Sequence, residues 1–110
     1  MDKTSTLEAL AALSQETRLD VFRLLIQAGA NGMLAGEISE ALDVRQNTMS
    51  TNLSILSQSG LIYKQREGRA IRYFADMNGV RGFLAFLMED CCGGHPKRCQ
   101  PVIDEIACHC

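Results

Sequence analysis

Hydrophobic residues recur every three or four positions through most of the first ninety residues, which is the spacing of one face of an α-helix. A first helix is predicted over about residues 5–13, where Ser5 and Glu8 have the spacing of a capping box. A second helix is predicted to begin after Ser14 and to end at the sequence GANG, residues 29–32. Its apolar positions are so numerous that we expect it to lie at the centre of the domain.

Two further helices joined by a tight turn are predicted next. The first is short, over residues 35–42, and the second runs from about 46 to 59 and is closed by Gly60. The second helix has an inward apolar stripe and an opposite face that carries Asn47, Thr51, Ser54 and Gln58. This outer face has no charge, whereas a merely solvated face usually carries Lys and Glu. The pair is typical of a helix-turn-helix.

An alternating pattern follows the helix-turn-helix. Residues 61–66 and 70–75 are predicted as strands that flank the loop Glu67-Gly68-Arg69, in which glycine supplies a positive φ. Lys64 and Arg66 project to one side of the first strand. A helix-turn-helix followed by a basic hairpin predicts a winged helix, which is a more specific signal than either half.

A last long helix is predicted from Asp76, as N-cap, to about Asp90. It is apolar on nearly every side, so either it is fully buried or it is shared with a second subunit. We favour a dimer seam with the first helix beside it. The predicted fold is therefore mainly α with a small β-hairpin, a winged helix-turn-helix that forms a homodimer through its first and last helices. We expect residues 1–90 to form this DNA-binding and dimerisation domain, and residues 91–110 to form a separate cysteine-rich tail.

Composition agrees with one folded domain. The 110 residues are 46% hydrophobic and 22% charged, as in ordinary globular proteins. No apolar run reaches the roughly 18 residues of a membrane span, and the N-terminus lacks the pattern of a secretory signal. We therefore expect a cytoplasmic protein with no membrane partner, in a compartment where thiols stay reduced.

The distribution of charge changes the picture more than the net charge of −2 does. Basic residues outnumber the single acidic one, Glu67, between positions 45 and 73, whereas residues 1–44 are mainly acidic. A basic segment within an acidic protein attracts phosphates at one edge. A solvated charge cluster is the alternative, and charge alone does not separate the two.

At this point the chain resembles the ArsR/SmtB family of dimeric winged-helix repressors that sense metals and metalloids. The matching segments are ALAALSQETRLDVFRLL (9–25), AGEISEALDVRQNTMSTNLSILSQSGLI (35–62) and QREGRAIRYFA (65–75). The resemblance implies a homodimer that binds double-stranded operator DNA. Asn52 departs from the His that many members carry, although Asn is also a competent hydrogen-bond donor and acceptor.

DNA contacts are predicted on the recognition helix and on the wing. Asn and Gln pair with adenine, and hydroxyls bond phosphates or base edges. The helix candidates are Gln46, Asn47, Thr48, Ser50 and Thr51, and the wing candidates are Lys64, Arg66, Arg69 and Arg72. Local bonding to the backbone is the alternative for each hydroxyl, and pairing with an acid is the alternative for Arg72.

All five cysteines lie in the last twenty residues. Cys91 and Cys92 are adjacent, and the turn at Pro96 can bring Cys99 back over them. Three converging thiolates suit a soft, three-coordinate centre, which predicts As(III) or Sb(III) as the inducer. The resemblance points the same way, because some arsenic-responsive members carry a vicinal cysteine pair and one further cysteine after the last helix.

Other uses of these thiols stay open. Zinc is one alternative, because His95 or His109 can complete a tetrahedral Cys/His set, and a zinc- or cadmium-responsive repressor would follow. A thiol redox switch in which Cys99 or Cys108 attacks an oxidised neighbour is another. Cys108 and Cys110 either form a second soft site, assist transfer or have no role. An enzyme is not predicted, since no nucleophile, base and orienting group stand together in the sequence.

Overall fold

The computed structural model describes residues 1–89 and 95–106, and the first of these ranges folds as a winged helix. The elements are α1 (Lys3–Leu13), α2 (Glu16–Ala28), β1 (Met33–Leu34), α3 (Ala35–Leu42), α4 (Gln46–Gln58), β2 (Ile62–Glu67), β3 (Ala70–Ala75), α5 (Met77–Leu87) and α6 (Gln100–Ile106). Short 3₁₀ segments at Gly29–Asn31 and Pro96–Arg98 precede β1 and α6. Within the described ranges, no helix combines the length and the apolar content that crossing a membrane requires.

The sheet is antiparallel, with the strand order β1-β3-β2. Glu67 pairs with Ala70, so the hairpin loop contains Gly68 and Arg69 and is one residue shorter than predicted. Gly68 has a φ of 62°, a conformation that glycine adopts without steric cost. The two-residue strand β1 was not predicted, because two residues cannot show an alternating pattern.

The core lies where the sheet and helices α1 to α4 meet. The α2 helix packs against α1, α3, α4 and β3, which confirms the prediction of a central second helix. The largest fully buried side chains include Val21, Leu25, Ile38, Met49, Leu53, Leu56, Leu61 and Ile62. The inward stripe predicted for α4 is among them, so the polar side of this helix faces outward.

The first two helix starts differ from the prediction. Asp2 caps α1 by accepting a hydrogen bond from the Ser5 N–H at 2.8 Å, because its carboxylate lies one turn ahead of the predicted cap. Ser14 instead ends α1 and donates its hydroxyl to the Ala11 carbonyl at 2.7 Å. Gln15 then caps α2 through its side-chain oxygen.

The α5 helix begins at its predicted cap, since Asp76 Oδ1 accepts from the N–H groups of Asn78 and Gly79. It ends at Leu87, short of the predicted end at Asp90. Phe83 is buried, but Leu84 and Leu87 are 43% and 46% exposed. In this single chain α5 is therefore not the fully buried helix that we considered, and the shared helix is the better alternative.

The start of α5 lies directly against the end of α4. The Asp76 N–H donates to the Leu61 carbonyl at 2.9 Å. A Cβ atom at Gly79 would overlap the carbonyl oxygen of Gly60, so only glycine permits this approach. A movement of α5 would therefore reach the C-terminal end of α4 directly.

Candidate nucleic-acid interface

The outward face of α4 carries the predicted base-reading residues. Each of them is exposed: Gln46, Asn47, Thr48, Ser50 and Thr51. Two make local bonds, because Asn47 Oδ1 accepts from the Thr48 N–H at 2.8 Å and the Thr51 hydroxyl donates to the Asn47 carbonyl at 3.4 Å. The face thus presents amides and hydroxyls without charge, as the sequence indicated.

Three of the predicted wing cations stand at the surface of the hairpin. Lys64, Arg66 and Arg69 are exposed, and Arg69 lies in the loop between β2 and β3. Arg66 Nε donates to the Gly68 carbonyl at 3.2 Å, which holds its guanidinium close to the loop. The wing therefore carries positive charge at its tip, and the chain presents this charge in addition to the uncharged polar face of α4.

Arg72 is bound to acidic groups of its own chain. Its Nε donates to Glu67 Oε2 at 2.8 Å, and its Nη1 donates to the Asn31 carbonyl at 3.2 Å and lies 4.0 Å from Glu37 Oε1. The hydrogen bond to Glu67 raises the pKa of the Arg72 guanidinium. These contacts favour the acid-pairing alternative for Arg72, which here joins the wing to the segment before α3.

Tyr63 and Phe74 support the wing from the sheet. Their rings stack with centroids 5.0 Å apart and planes inclined by 14°, and the two residues are cross-strand partners. Aromatic pairs of this kind stabilise a two-stranded ribbon beyond the area that they bury. The hairpin that carries the cations is therefore held by packing at its base and by the Arg72 contacts along β3.

A polar contact behind the recognition helix was not predicted. Asn52 is buried on the inner side of α4, and its Oδ1 accepts a hydrogen bond from Arg18 Nη1 at 3.3 Å. The sequence did carry a signal, because Asn52 is a polar residue beside the inward stripe. Its partner, 34 residues away, follows from the tertiary fold and from no local pattern.

Cys99 is the one predicted sulfur ligand within the described residues. It is buried and disulfide-bonded, whereas reduced thiols were expected. It lines an apolar cavity of about 500 Å³ between α5 and α6, together with Val80, Leu84, Met88, Val102 and Ile103, among others. A change in what this sulfur binds would therefore alter the packing of the α5 and α6 side chains that line the cavity.

The remaining tail candidates are only partly described. His95 is exposed and precedes the 3₁₀ segment, and the others, Cys91, Cys92, Cys108, His109 and Cys110, lie outside the described residues. Across residues 1–89 and 95–106, no cluster of three or more His, Cys, Asp or Glu side chains could hold a metal ion. The predicted cysteine triad therefore stays a prediction.

Comparison with known proteins supports the same architecture. A family described as a helix-turn-helix domain matches residues 13–64. A protein of Halobacterium salinarum, named as an arsenical resistance operon repressor (ArsR), is 36% identical over 70 residues, which are 64% of this chain and 54% of that protein. The chain thus matches about half the length of this relative.

Two solved structures extend the comparison. HlyU of Vibrio cholerae, named a transcriptional activator, matches with a TM-score of 0.65 and 26% identity, over 80% of this chain and 95% of that one. A homodimeric winged helix-turn-helix DNA-binding domain from Mycobacterium bovis matches with a TM-score of 0.65 and 23% identity, over 96% and 89% of the two chains. The latter likeness is one of fold.

Proposed function

Because this chain belongs to the ArsR family of winged-helix transcriptional regulators, we propose that it is a repressor that binds operator DNA as a homodimer and releases it on capturing As(III) or Sb(III). The observation that carries the DNA half of this proposal is the uncharged, exposed face of α4 beside a cationic wing. The observation that supports the sensing half is the buried Cys99 between α5 and α6.

In the proposed complex each α4 enters a major groove. Its amides and hydroxyls, from Gln46 to Thr51, read base edges, and the half-sites of the two subunits lie about 34–36 Å apart. Lys64, Arg66 and Arg69 contact phosphates, which positions the protein without reading sequence. Arg72 orients the wing through its bonds to Glu67 and Asn31, a role that differs from the contact first predicted.

The proposed dimer seam is the apolar surface that α1 and α5 leave open. Leu7 of α1 is 56% exposed, and Leu84 and Leu87 of α5 are exposed to a similar degree. Removing such side chains from water favours association by about 25 cal/mol for each Å² of apolar area, before the entropic cost of joining two chains is subtracted. The homodimeric state of the Mycobacterium bovis domain supports a seam of this kind on the same fold.

The proposed inducer site uses Cys91, Cys92 and Cys99, at the start of the proposed tail domain, residues 91–110. Three thiols displace three hydroxyls of arsenous acid, so three As–S bonds replace three As–O bonds and three waters leave without a change of oxidation state. Since Cys99 is disulfide-bonded here, a thiol or phosphine reductant must first supply two electrons to that bond.

Release follows from the position of α5 in this scheme. Capture at Cys99 changes the contact between α6 and α5, and α5 abuts Gly60 at the end of α4 through Gly79. If the seam also includes α5, the two recognition helices change their spacing. A coupling typical of allostery weakens DNA binding about 5–150-fold.

The test is a titration with several inducers. The probe is a duplex selected from a random-sequence library by wild-type protein under reducing conditions. We expect As(III) and Sb(III) to release it, and Cys99→Ser to bind the same duplex and to ignore both. X-ray absorption of arsenic-loaded protein should give sulfur neighbours only. Normal release from Cys99→Ser, or oxygen and nitrogen neighbours around arsenic, would overturn the inducer site.

A thiol redox switch is the second candidate, and the disulfide at Cys99 favours it. Peroxide would then release the duplex and dithiothreitol would restore binding, with no response to As(III). The zinc- or cadmium-responsive alternative predicts release by those ions and zinc in the purified protein, with His95 or His109 among the ligands. The same titration separates these outcomes. A cytoplasmic location, beside the chromosome, follows from each of them.

A further inference from the structure

Arg18 joins three helices through one side chain. Its Nε donates to the Ala12 carbonyl of α1 at 2.7 Å, and its Nη1 donates to Asn52 Oδ1 of α4 at 3.3 Å. Arg18 itself belongs to the first turn of α2, where its backbone N–H is bound by Gln15. The guanidinium therefore lies at the junction of the proposed dimer helix, the central helix and the recognition helix.

The electrostatics of this position are unusual for the helix on which Arg18 resides. A cation in the first turn of a helix is disfavoured by the helix dipole, whereas a cation at the last turn is favoured. Arg18 begins α2, but it delivers its charge to the C-terminal end of α1, where the last four carbonyls have no partner within the helix. Arg18 therefore contacts α1 and α4, although a cation at this position is unfavourable for the dipole of α2.

Packing between α1 and α4 is incomplete beside this bridge. A cavity of about 360 Å³ is lined by residues of α1, Arg18 and the last turn of α4, including Glu8, Ala11, Ile55 and Gln58. Closely packed helices allow little relative movement, but an open seam does not prevent a tilt. The guanidinium of Arg18, which donates to both helices, links them across this seam.

We propose that Arg18 is a positioning residue for DNA reading, which holds the recognition helix α4 at one tilt relative to α1 and so sets the separation of the two recognition helices in the dimer. This inference rests on the proposed function, since it requires α1 in the seam and α4 in the groove. Arg18 does not touch DNA in this scheme, and it acts through Asn52.

The readout is the dependence of affinity on half-site spacing. The duplex selected by the wild type is compared with duplexes in which the two half-sites are one base pair closer or one base pair farther apart. We expect Arg18→Met to lose about tenfold in affinity for the selected spacing and to flatten the preference for it, with an unchanged dependence on salt. Arg23→Met, an exposed arginine of the same helix, is the matched control and should keep the wild-type profile.

A second variant tests the same contact from the α4 side, in case Arg18→Met does not fold. Asn52→Leu keeps the branched side-chain skeleton and the Arg18 contact with Ala12, but it removes the acceptor on α4, so it should flatten the same preference. The double variant should be no worse than the more affected single variant. Wild-type spacing profiles in both folded single variants, or a change in only one of them, would overturn the inference. If the wild type itself shows no preference for spacing, the dimeric DNA-binding proposal fails instead.

Discussion

The winged-helix body and the C-terminal segment are held together by different means. In the body, fully buried side chains of α2, α3, α4 and the sheet form a continuous core. In α6, Val102, Ile103 and Ile106 are exposed, the last by 68%, while Cys99 at the start of the helix is buried. A seven-residue helix is marginal on its own in water. The body is therefore shaped by packing, whereas in the proposed function the arrangement of the segment depends on what Cys99 binds.

This difference suits the proposed division of roles, in which the winged-helix body, residues 1–89, is the reader that binds DNA and the C-terminal segment is the sensor that binds the inducer. A reader must keep side chains at a constant geometry, which a close-packed core provides. A sensor must change its arrangement when a ligand arrives, and regions with few buried contacts reorganise at low cost. The cavity between α5 and α6 lies at the border of the two regions, where a change in the segment reaches the body.

The largest expected effect compares a core side chain with one of the segment. Leu25→Ala removes a fully buried side chain of α2 and should lower the free energy of unfolding by about 2–5 kcal/mol. Ile103→Ala, the matched control on α6, should change it by less than about 0.5 kcal/mol. Urea unfolding measures both, and equal losses would remove the distinction between the two regions.

The next effect tests the contact between Gly79 of α5 and Gly60, through which a change beside α5 would reach the end of α4. Gly79→Ala forces a methyl group into the Gly60 carbonyl and should cost about 1–3 kcal/mol in the free energy of unfolding, with weaker binding of the selected duplex. In Gly82→Ala, on the same helix, the new methyl lies 3.4 Å from Met1, so it should be tolerated. Thermal unfolding and DNA titrations of the pair give the answer. If Gly79→Ala is as stable as Gly82→Ala, the close approach is absent in solution.

The third prediction concerns the salt dependence of DNA binding and compares two arginines of the wing. Arg69→Ala should reduce the slope of log K against log salt by about 0.9 for each phosphate that the variant no longer neutralises, while thermal stability stays unchanged. Arg72→Ala should leave the slope nearer to that of the wild type, because Arg72 is bound to Glu67 and Asn31. Equal changes in slope would show that Arg72 also neutralises a phosphate, as its place on the wing first indicated.

The smallest effect concerns the cap of α1. The hydrogen bond from the Ser5 N–H lowers the pKa of Asp2 from its ordinary value of 3.8. A carboxyl group whose pKa falls on folding stabilises the protein above its unfolded pKa, and this contribution is lost as the pH falls through the lower, folded value. Asp2→Asn should therefore be less stable than the wild type near neutral pH, and the gap should close below 3.8. A gap that persists in acid would exclude this cause.

The sequence was most informative where structure depends on neighbours along the chain. The bounds of α3 and the cap at Asp76 were predicted correctly, because turn and capping chemistry acts within a few residues. The cap of α1 was wrong, since two candidate caps, Asp2 and Ser5, lie within one turn and the carboxylate binds the N–H group of the other. The strand β1 and the bridge from Arg18 to Asn52 depend on partners 34 or more residues away, for which the sequence had no local signal.

The candidate site shows the same division. The exposed face of α4 followed from helical periodicity, and the wing followed from alternation around Gly68. That Arg72 is bound to Glu67 became visible only with the strand register, because the two residues flank the loop on opposite strands. The tail was predicted from sulfur chemistry alone, and of its three proposed ligands the described residues include Cys99.

The most direct measurement separates the reader from the sensor in one variant of the 110-residue chain. Serine replaces Cys91, Cys92 and Cys99 together, and the affinity for the selected duplex is measured under reducing conditions with and without As(III). The account predicts wild-type affinity without As(III) and no release with it, whereas the wild type releases the duplex. Release of the triple variant by As(III) at the wild-type concentration would contradict the central claim that these sulfurs are the sensor.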